Sequence, residues 1–297
     1  MRWIIAWCVL LNVAPFVAAQ DMPLSQVLIG GNGWEIVGDG FKFTEGPAVD
    51  VKGNVFFTDI PNNRIHRIDL GGNVTVFVEN SAKTNGLMFG ADGRLYGCRA
   101  GDRKVVAYKI DGTFDTIAED VDSNDLVVMI NGAVYFTDPP GRRVWYVSPS
   151  GVKRVVADGF RPNGVIAWPR GETLVVTDGD DPHLLTFRIE ADGSLSHRDA
   201  YYRPLQMPVG RDRPGSDGMT MDDEYRLYVA TAAGIQMFDP TGRLGGTILK
   251  PEWNKPVSNI VFGGERFDYL YATCGDKVFR RKVKPAGKPY FLRGVAK

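Results

Sequence analysis

The chain of 297 residues contains three histidines and three cysteines, and its 35 basic residues are balanced by 35 acidic ones. That balance removes the electrostatic case for nucleic acid or an anionic membrane as partner, and no basic stripe with interleaved aromatics is present. None of the cysteines lies in a C-x-x-C or similar zinc pattern, which argues against a thiolate-bound metal. There is no G-x-S-x-G elbow and no Ser/His/Asp grouping. GADG and GGNG lack the strand–helix context of a nucleotide loop. No segment after residue 20 is apolar enough to span a membrane.

The first residues, MRWIIAWCVLLNVAPFVAAQD, combine Arg2, an apolar run and a small-residue stretch ending at Ala19. This is the pattern of a secretory signal peptide, and Asn12 and Pro15 interrupt a stretch already short for a membrane span. The expectation is therefore an exported protein, secreted or periplasmic, with residues 1–19 as leader and mature chain from Gln20. Cleavage would remove Cys8 and leave Cys98 and Cys274, either as one disulfide or as two buried thiols.

What is present is a repeat. Six segments begin on a polar anchor and continue into an apolar strand, an Asp- or Gly-containing turn and a second strand: TEGPAVDVKGNVFFTD, TNGLMFGADGRLYGCR, SNDLVVMINGAVYFTD, PNGVIAWPRGETLVVTD, SDGMTMDDEYRLYVAT and SNIVFGGERFDYLYAT. The anchors are Glu45, Asn85, Asn124, Asn163, Asp217 and Asn259, spaced by 40, 39, 39, 54 and 42 residues. A period near 40 without helical periodicity fits a four-stranded unit. The second strands, such as Val55-Phe56-Phe57 and Val134-Tyr135-Phe136, are aromatic or β-branched, as a pleated buried surface requires. Residues 20–297 thus read as one all-β domain, a six-bladed β-propeller with four-stranded blades around a channel, after a lead-in to about residue 34. A sandwich or β-solenoid is the alternative, but solenoids usually repeat at shorter periods and a sandwich has no reason to repeat a polar anchor six times. The long fourth interval holds AYYRPLQMPVGRDRPGS (200–216), expected as a loop on one face.

In a propeller the first strand of each blade lines the channel, so equivalent positions converge on one ring at one mouth. That geometry explains why Asn163-Gly164, which elsewhere would mark a turn, opens an apolar strand. Two carboxylates and four amides offer only oxygen donors, the set that suits calcium; imidazole and thiol, favoured by softer metals, are missing from the ring. The competing reading is that these side chains merely cap strand entrances.

At these residues the chain resembles the gluconolactonase, regucalcin (SMP-30) and lactonase-like propellers. The motifs are TEGPAVD at 44–50, FFTDIPNNRIHRID at 56–69, TNGLMFGADGRL at 84–95, SNDLVV at 123–128, YFTDPP at 135–140, RPNGV at 161–165 and SDGMTMD at 216–222. The resemblance implies a divalent cation, most commonly Ca2+, held by Glu45, Asn163, Asp217 and Asn124, with Asp217 also the catalytic base. It implies a small-molecule lactone as partner. Of the ring residues, Asn85, Asn124 and Asn259 are expected to face substrate or water. In some relatives the region of Asp138 contributes to a second calcium site. The chain departs from the pattern at EDVDSND, which has no arginine before the SND asparagine, at Arg99-Ala100, and at GDDPHLLTF.

The expected activity is a metal-dependent lactonase. The alternatives are a non-catalytic binding propeller of NHL or adhesion type, or a phosphotriesterase-like hydrolase on the same site. His66 reads as structural and His197 as outer surface, while for His183 a place near the metal face is only the lesser alternative to a non-catalytic one. Trp145, Trp168 and Phe187 are expected to pack between blades. Oligomeric state is not encoded in any of these motifs.

Overall fold

The computed structural model describes residues 24–293; the leader-like segment 1–19 lies outside the described residues. Twenty-four strands form six four-stranded antiparallel sheets. The innermost strands are Thr44–Val49, Thr84–Phe89, Leu126–Val128, Pro162–Ala167, Met219–Met221 and Val257–Gly263. The protein is a six-bladed β-propeller, and its inner strands follow the six anchors read from the sequence.

Each blade is covered on both faces by its neighbours, so its second strand has no solvent side. Val55–Asp59, Leu95–Arg99, Val134–Asp138 and Leu227–Thr231 are buried at every position. The apolar clusters accordingly lie between blades. One gathers Phe160, Phe187, Val165 and Tyr135 from blades three and four, with Phe160 and Phe187 stacked at 6.0 Å. Trp145 packs against the cluster between blades two and three, and Trp168 against that between blades four and five. Cys98 and Cys274 are both buried and free, in separate clusters, so no disulfide joins them. Burial raises the pKa of both thiols.

The ring closes through the lead-in. Glu35–Gly38 pairs antiparallel with Lys277–Lys282 and supplies the outer strand of blade six. The far mouth of the channel is stoppered by the other end of the chain. Gly287 N donates to Phe267 O at 2.8 Å, and the short helix Tyr290–Arg293 follows, with Tyr290 and Phe291 buried. Among the described residues no helix is long and apolar enough to cross a membrane.

The segment 200–216 carries no strand, as expected. Its first half is fastened: Tyr202 and Leu205 are buried, and Gln206 exchanges two hydrogen bonds with the side chain of Gln236. Its second half projects, with Val209 fully exposed, and reaches the mouth where the anchors converge.

Candidate active site

The anchors are aimed by irregularities in the innermost strands. In blade one the pairing runs Glu45↔Thr58 and then Ala48↔Phe56, and the same slip follows Thr84 in blade two and Pro162 in blade four. A bulge of this kind turns a side chain out of the regular alternation. In blades three and five Asn124 and Asp217 lie just ahead of the inner strand rather than within it.

The residue after the anchor explains the recurrent glycine. A Cβ on Gly46 would fall 2.1 Å from Asn85 O, one on Gly164 2.2 Å from Asp217 O, and one on Gly218 1.8 Å from Asn259 Cγ. Each glycine therefore admits the next blade's anchor, and the reason at Gly164 and Gly218 is close approach rather than a turn. Threonines at the ends of the second strands hold the same seam. Thr58, Thr137 and Thr177 donate to the carbonyls of Asn85, Asn163 and Asp217 at 3.2, 2.6 and 3.3 Å. Between blades six and one, Ser258 donates to Thr44 O at 2.9 Å.

Asn124, Asn163 and Asp217 line an open cleft of about 880 Å3. Beneath them a smaller, mostly apolar cavity of about 120 Å3 runs to Tyr290 and Phe291 and has Asn259 and Asp125 in its wall. Glu45 is buried between these spaces, its Oε2 accepting from Gly46 N at 2.6 Å and from Asn259 Nδ2 at 3.3 Å. Asn259 thus orients Glu45 and does not face the cleft. Asn85 lines neither space, and the contacts that place it run through its backbone carbonyl.

Asp125 is the residue that sequence reasoning missed. It occupies the position that is glycine in four of the six repeats, and that break in the pattern was its only signal. Its carboxylate accepts from Leu126 N at 2.9 Å and from Val165 N at 3.2 Å. Asp125 and Asp217 are enclosed by protein yet keep some surface, because they border the channel spaces.

Glu45, Asp125 and Asp217 repel one another in this enclosure. Desolvation pushes Glu45 up to about 7, with repulsion from Asp125 adding to it, and desolvation carries Asp125 to about 7. Asp217 is raised well above the carboxylate range by desolvation, then by Glu45 and Asp125. Three acids driven toward neutrality form a site that favours positive charge.

The donor set fits a hard divalent cation. Asn163 Oδ1 is buried without a hydrogen-bond partner, while its Nδ2 reaches Ser216 O at 3.5 Å. A buried amide oxygen left unsatisfied is costly unless something electropositive meets it. Among the described residues no three Asp, Glu, His or Cys side chains are grouped to hold a metal by themselves, so any ligation here depends on the amides.

The other candidate acids are accounted for without a ligand. Asp138 accepts from Gly141 N, Arg143 Nε and Trp145 Nε1, at 2.7, 2.8 and 3.1 Å. Asp59 takes the amides of Lys42 and Phe43, and Asp178 those of Arg161 and Asp180. His66 is stacked on Phe57 at 5.1 Å, and burial lowers its pKa. His183 is exposed and bound to Asp181 at 2.7 Å, and His197 is hydrogen-bonded to Ser196.

A six-bladed propeller with an oxygen-rich polar ring at one channel mouth is the class that fold and site define. Residues 43–276 match the SMP-30/gluconolactonase/LRE-like region, and the chain belongs to that family. It is 25% identical over 295 residues to a gluconolactonase of Zymomonas mobilis, across 85% of this chain and 82% of that protein. A solved gluconolactonase from Xanthomonas campestris superposes with a TM-score of 0.77 at 26% identity, covering 88% of this chain and 92% of the other. A calcium-binding regucalcin from Agrobacterium tumefaciens shares the fold at 17% identity, with a TM-score of 0.71, over 86% and 96% of the two chains.

Proposed function

We propose that the protein is a divalent-cation-dependent hydrolase that opens lactones, with Ca2+ the preferred ion. The observation that carries this reading is the meeting of Asp217 with the unpartnered Asn163 Oδ1 at the floor of an open cleft. Family membership and the similarity to two gluconolactonases support the substrate class.

Glu45, Asn163, Asp217 and Asn124 would hold the ion. Bound there, it supplies Lewis-acid polarisation of the lactone carbonyl and charge stabilisation for the developing oxyanion. Asp217 accepts the proton of the water that adds to the carbonyl carbon. The ring C–O bond then breaks, the proton passes to the departing alkoxide, and a hydroxy acid results. Burial and the neighbouring acids raise the proton affinity of Asp217, offsetting the loss of basicity that a positive neighbour imposes. Asn259 fixes Glu45 through its amide, and Asn124 borders the cleft where it can orient water or substrate. Asn85 contributes by spacing blades one and two. The leader-like pattern of residues 1–19 supports export, and with it a reaction outside the cytoplasm.

The test is proton release from a panel of lactones, corrected for spontaneous hydrolysis, with chelator-stripped protein, protein given back calcium, and Asp217→Asn. Activity that disappears on stripping and returns with calcium, but not in the variant, is expected. Lactone turnover that is indifferent to both manipulations would overturn the mechanism.

A further inference from the structure

We propose that the substrate of this site carries an anionic group, a carboxylate or a phosphate, received by Arg161 and Arg213 at the rim of the cleft. This inference rests on the lactone-hydrolase reading and narrows it to a charged substrate class.

The chain as a whole is neutral, so a local surplus of one sign is not a by-product of overall composition. The cleft has such a surplus. Arg161, Arg211, Arg213, Lys250 and Lys255 line it, against Asp212 and Asp217. Lys255 is committed to Glu252 and Asp276. Arg211 and Lys250 have no carboxylate within 4.0 Å among the described residues, and Lys250 instead lies 5.3 Å over the exposed ring of Trp253.

The arginines converge on one acid. Arg142, Arg161 and Arg213 approach the Asp180 carboxylate at 2.9, 3.9 and 3.6 Å. Three guanidinium groups around one carboxylate leave two positive charges uncompensated. Only the Arg142 contact is a hydrogen bond; the other two separations are too long for one. The side chains of Arg161 and Arg213, residues that line the cleft, are about half exposed, at 49% and 57%, and keep donors to spare. Such forks match the planar oxygens of carboxylate and phosphate.

Their placement is built rather than incidental. Arg161 stands two residues before Asn163, and its backbone is held on both sides, by Asp178 Oδ1 to its N–H at 3.3 Å and by Gly179 N to its carbonyl at 2.8 Å. Arg213 arrives from the insertion between blades four and five, the segment that lengthens the otherwise regular repeat. An anion held by both would present the rest of a small substrate to Asn163 and Asp217 in the same cleft.

The experiment compares kcat/KM of the calcium-loaded, full-length mature protein for matched pairs: gluconolactone against its phosphate, and carboxy-γ-butyrolactone against its carboxamide. A preference for one or both charged members of about tenfold or more is expected, falling with ionic strength and collapsing in the R161Q/R213Q double variant. The pair that shows the preference identifies phosphate or carboxylate. Arg213→Gln alone, a change on an exposed loop, should reduce the ratio without loss of folding. Equal rates within both pairs, or a preference that survives the double variant, would overturn the proposal while leaving the lactonase reading intact. Should no lactone be hydrolysed, that reading fails separately. Calorimetric binding of the same pairs then decides: tighter binding of a charged member, weakened in the double variant, upholds the anion site, and equal binding ends it.

Discussion

The two mouths of the channel are built from the same six strands and could hardly differ more. At the anchor end, bulges, glycines and threonine hydroxyls bring amides and acids to a floor beneath an open cleft. At the other end the same strands present Ala48, Leu87, Val127 and Met221, and aromatic side chains from the C-terminal segment seal the opening. The blade repeat sets the scaffold at both ends, and local departures from regular pairing set the chemistry at one.

The contrast can be broken most severely at Asp217. Asp217→Asn keeps the shape and removes the base and one ligand charge, and a loss of about a hundred- to ten-thousand-fold in kcat is expected from initial rates. Gly164→Ala should come next. The added methyl would stand 2.2 Å from a backbone carbonyl of the neighbouring blade, and overpacking of that kind costs about 1–3 kcal/mol or more, readable as a lowered denaturant midpoint with lost metal affinity. At the other mouth, Tyr290→Ala removes a buried aromatic and should lower stability by up to about 3 kcal/mol while leaving calcium affinity near that of the parent. Were Tyr290→Ala to lower calcium affinity as much as Gly164→Ala, the two ends would not be independent.

A subtler difference appears with pH. Folded Glu45 and Asp125, at about 7 without metal, hold protons that the unfolded chain releases near pH 4. Their contribution to stability is therefore complete below about pH 4 and is lost as pH rises to about 7. A cation replaces those protons, so the melting temperature gained on adding calcium should grow between about pH 5 and 8. Titration calorimetry in buffers of different ionisation enthalpy should show proton release at neutral pH. A calcium-induced gain that is flat with pH would contradict the placement of the ion among these acids.

The architecture was legible because a propeller writes itself as a period. Blade number, inner strands and the convergence of anchors all followed from six aligned segments. What the period could not carry was direction. Equivalent positions predict six side chains in one ring, yet Asn259 turns to Glu45 and Asn85 makes its contacts through its carbonyl, while Asn163 and Asp217 reach the cleft. The same slip follows the anchors of blades one, two and four and none accompanies Asp217, so pairing alone does not set these directions, and a repeat of about 40 residues does not resolve them. Asp125 was hidden for a related reason. It stands beside an anchor rather than on one, and the substitution of a single glycine in the repeat is easily passed over. The two possibilities for Cys98 and Cys274 could be separated only by seeing that they belong to different clusters.

The closing strand has one more consequence, and it concerns time. Glu35 meets Arg280 across 245 positions of sequence, and Asn259 meets Glu45 across 214. Contacts so distant along the chain form late, because the loop entropy they cost must be met before they repay it. Five blades can take shape while the sixth is still being made, but Glu45 lacks the side-chain amide of Asn259 until the circle is complete. Assembly of the candidate metal centre and closure of the ring are then a single event. A refolding experiment that follows calcium binding should find it appearing in step with the slowest phase.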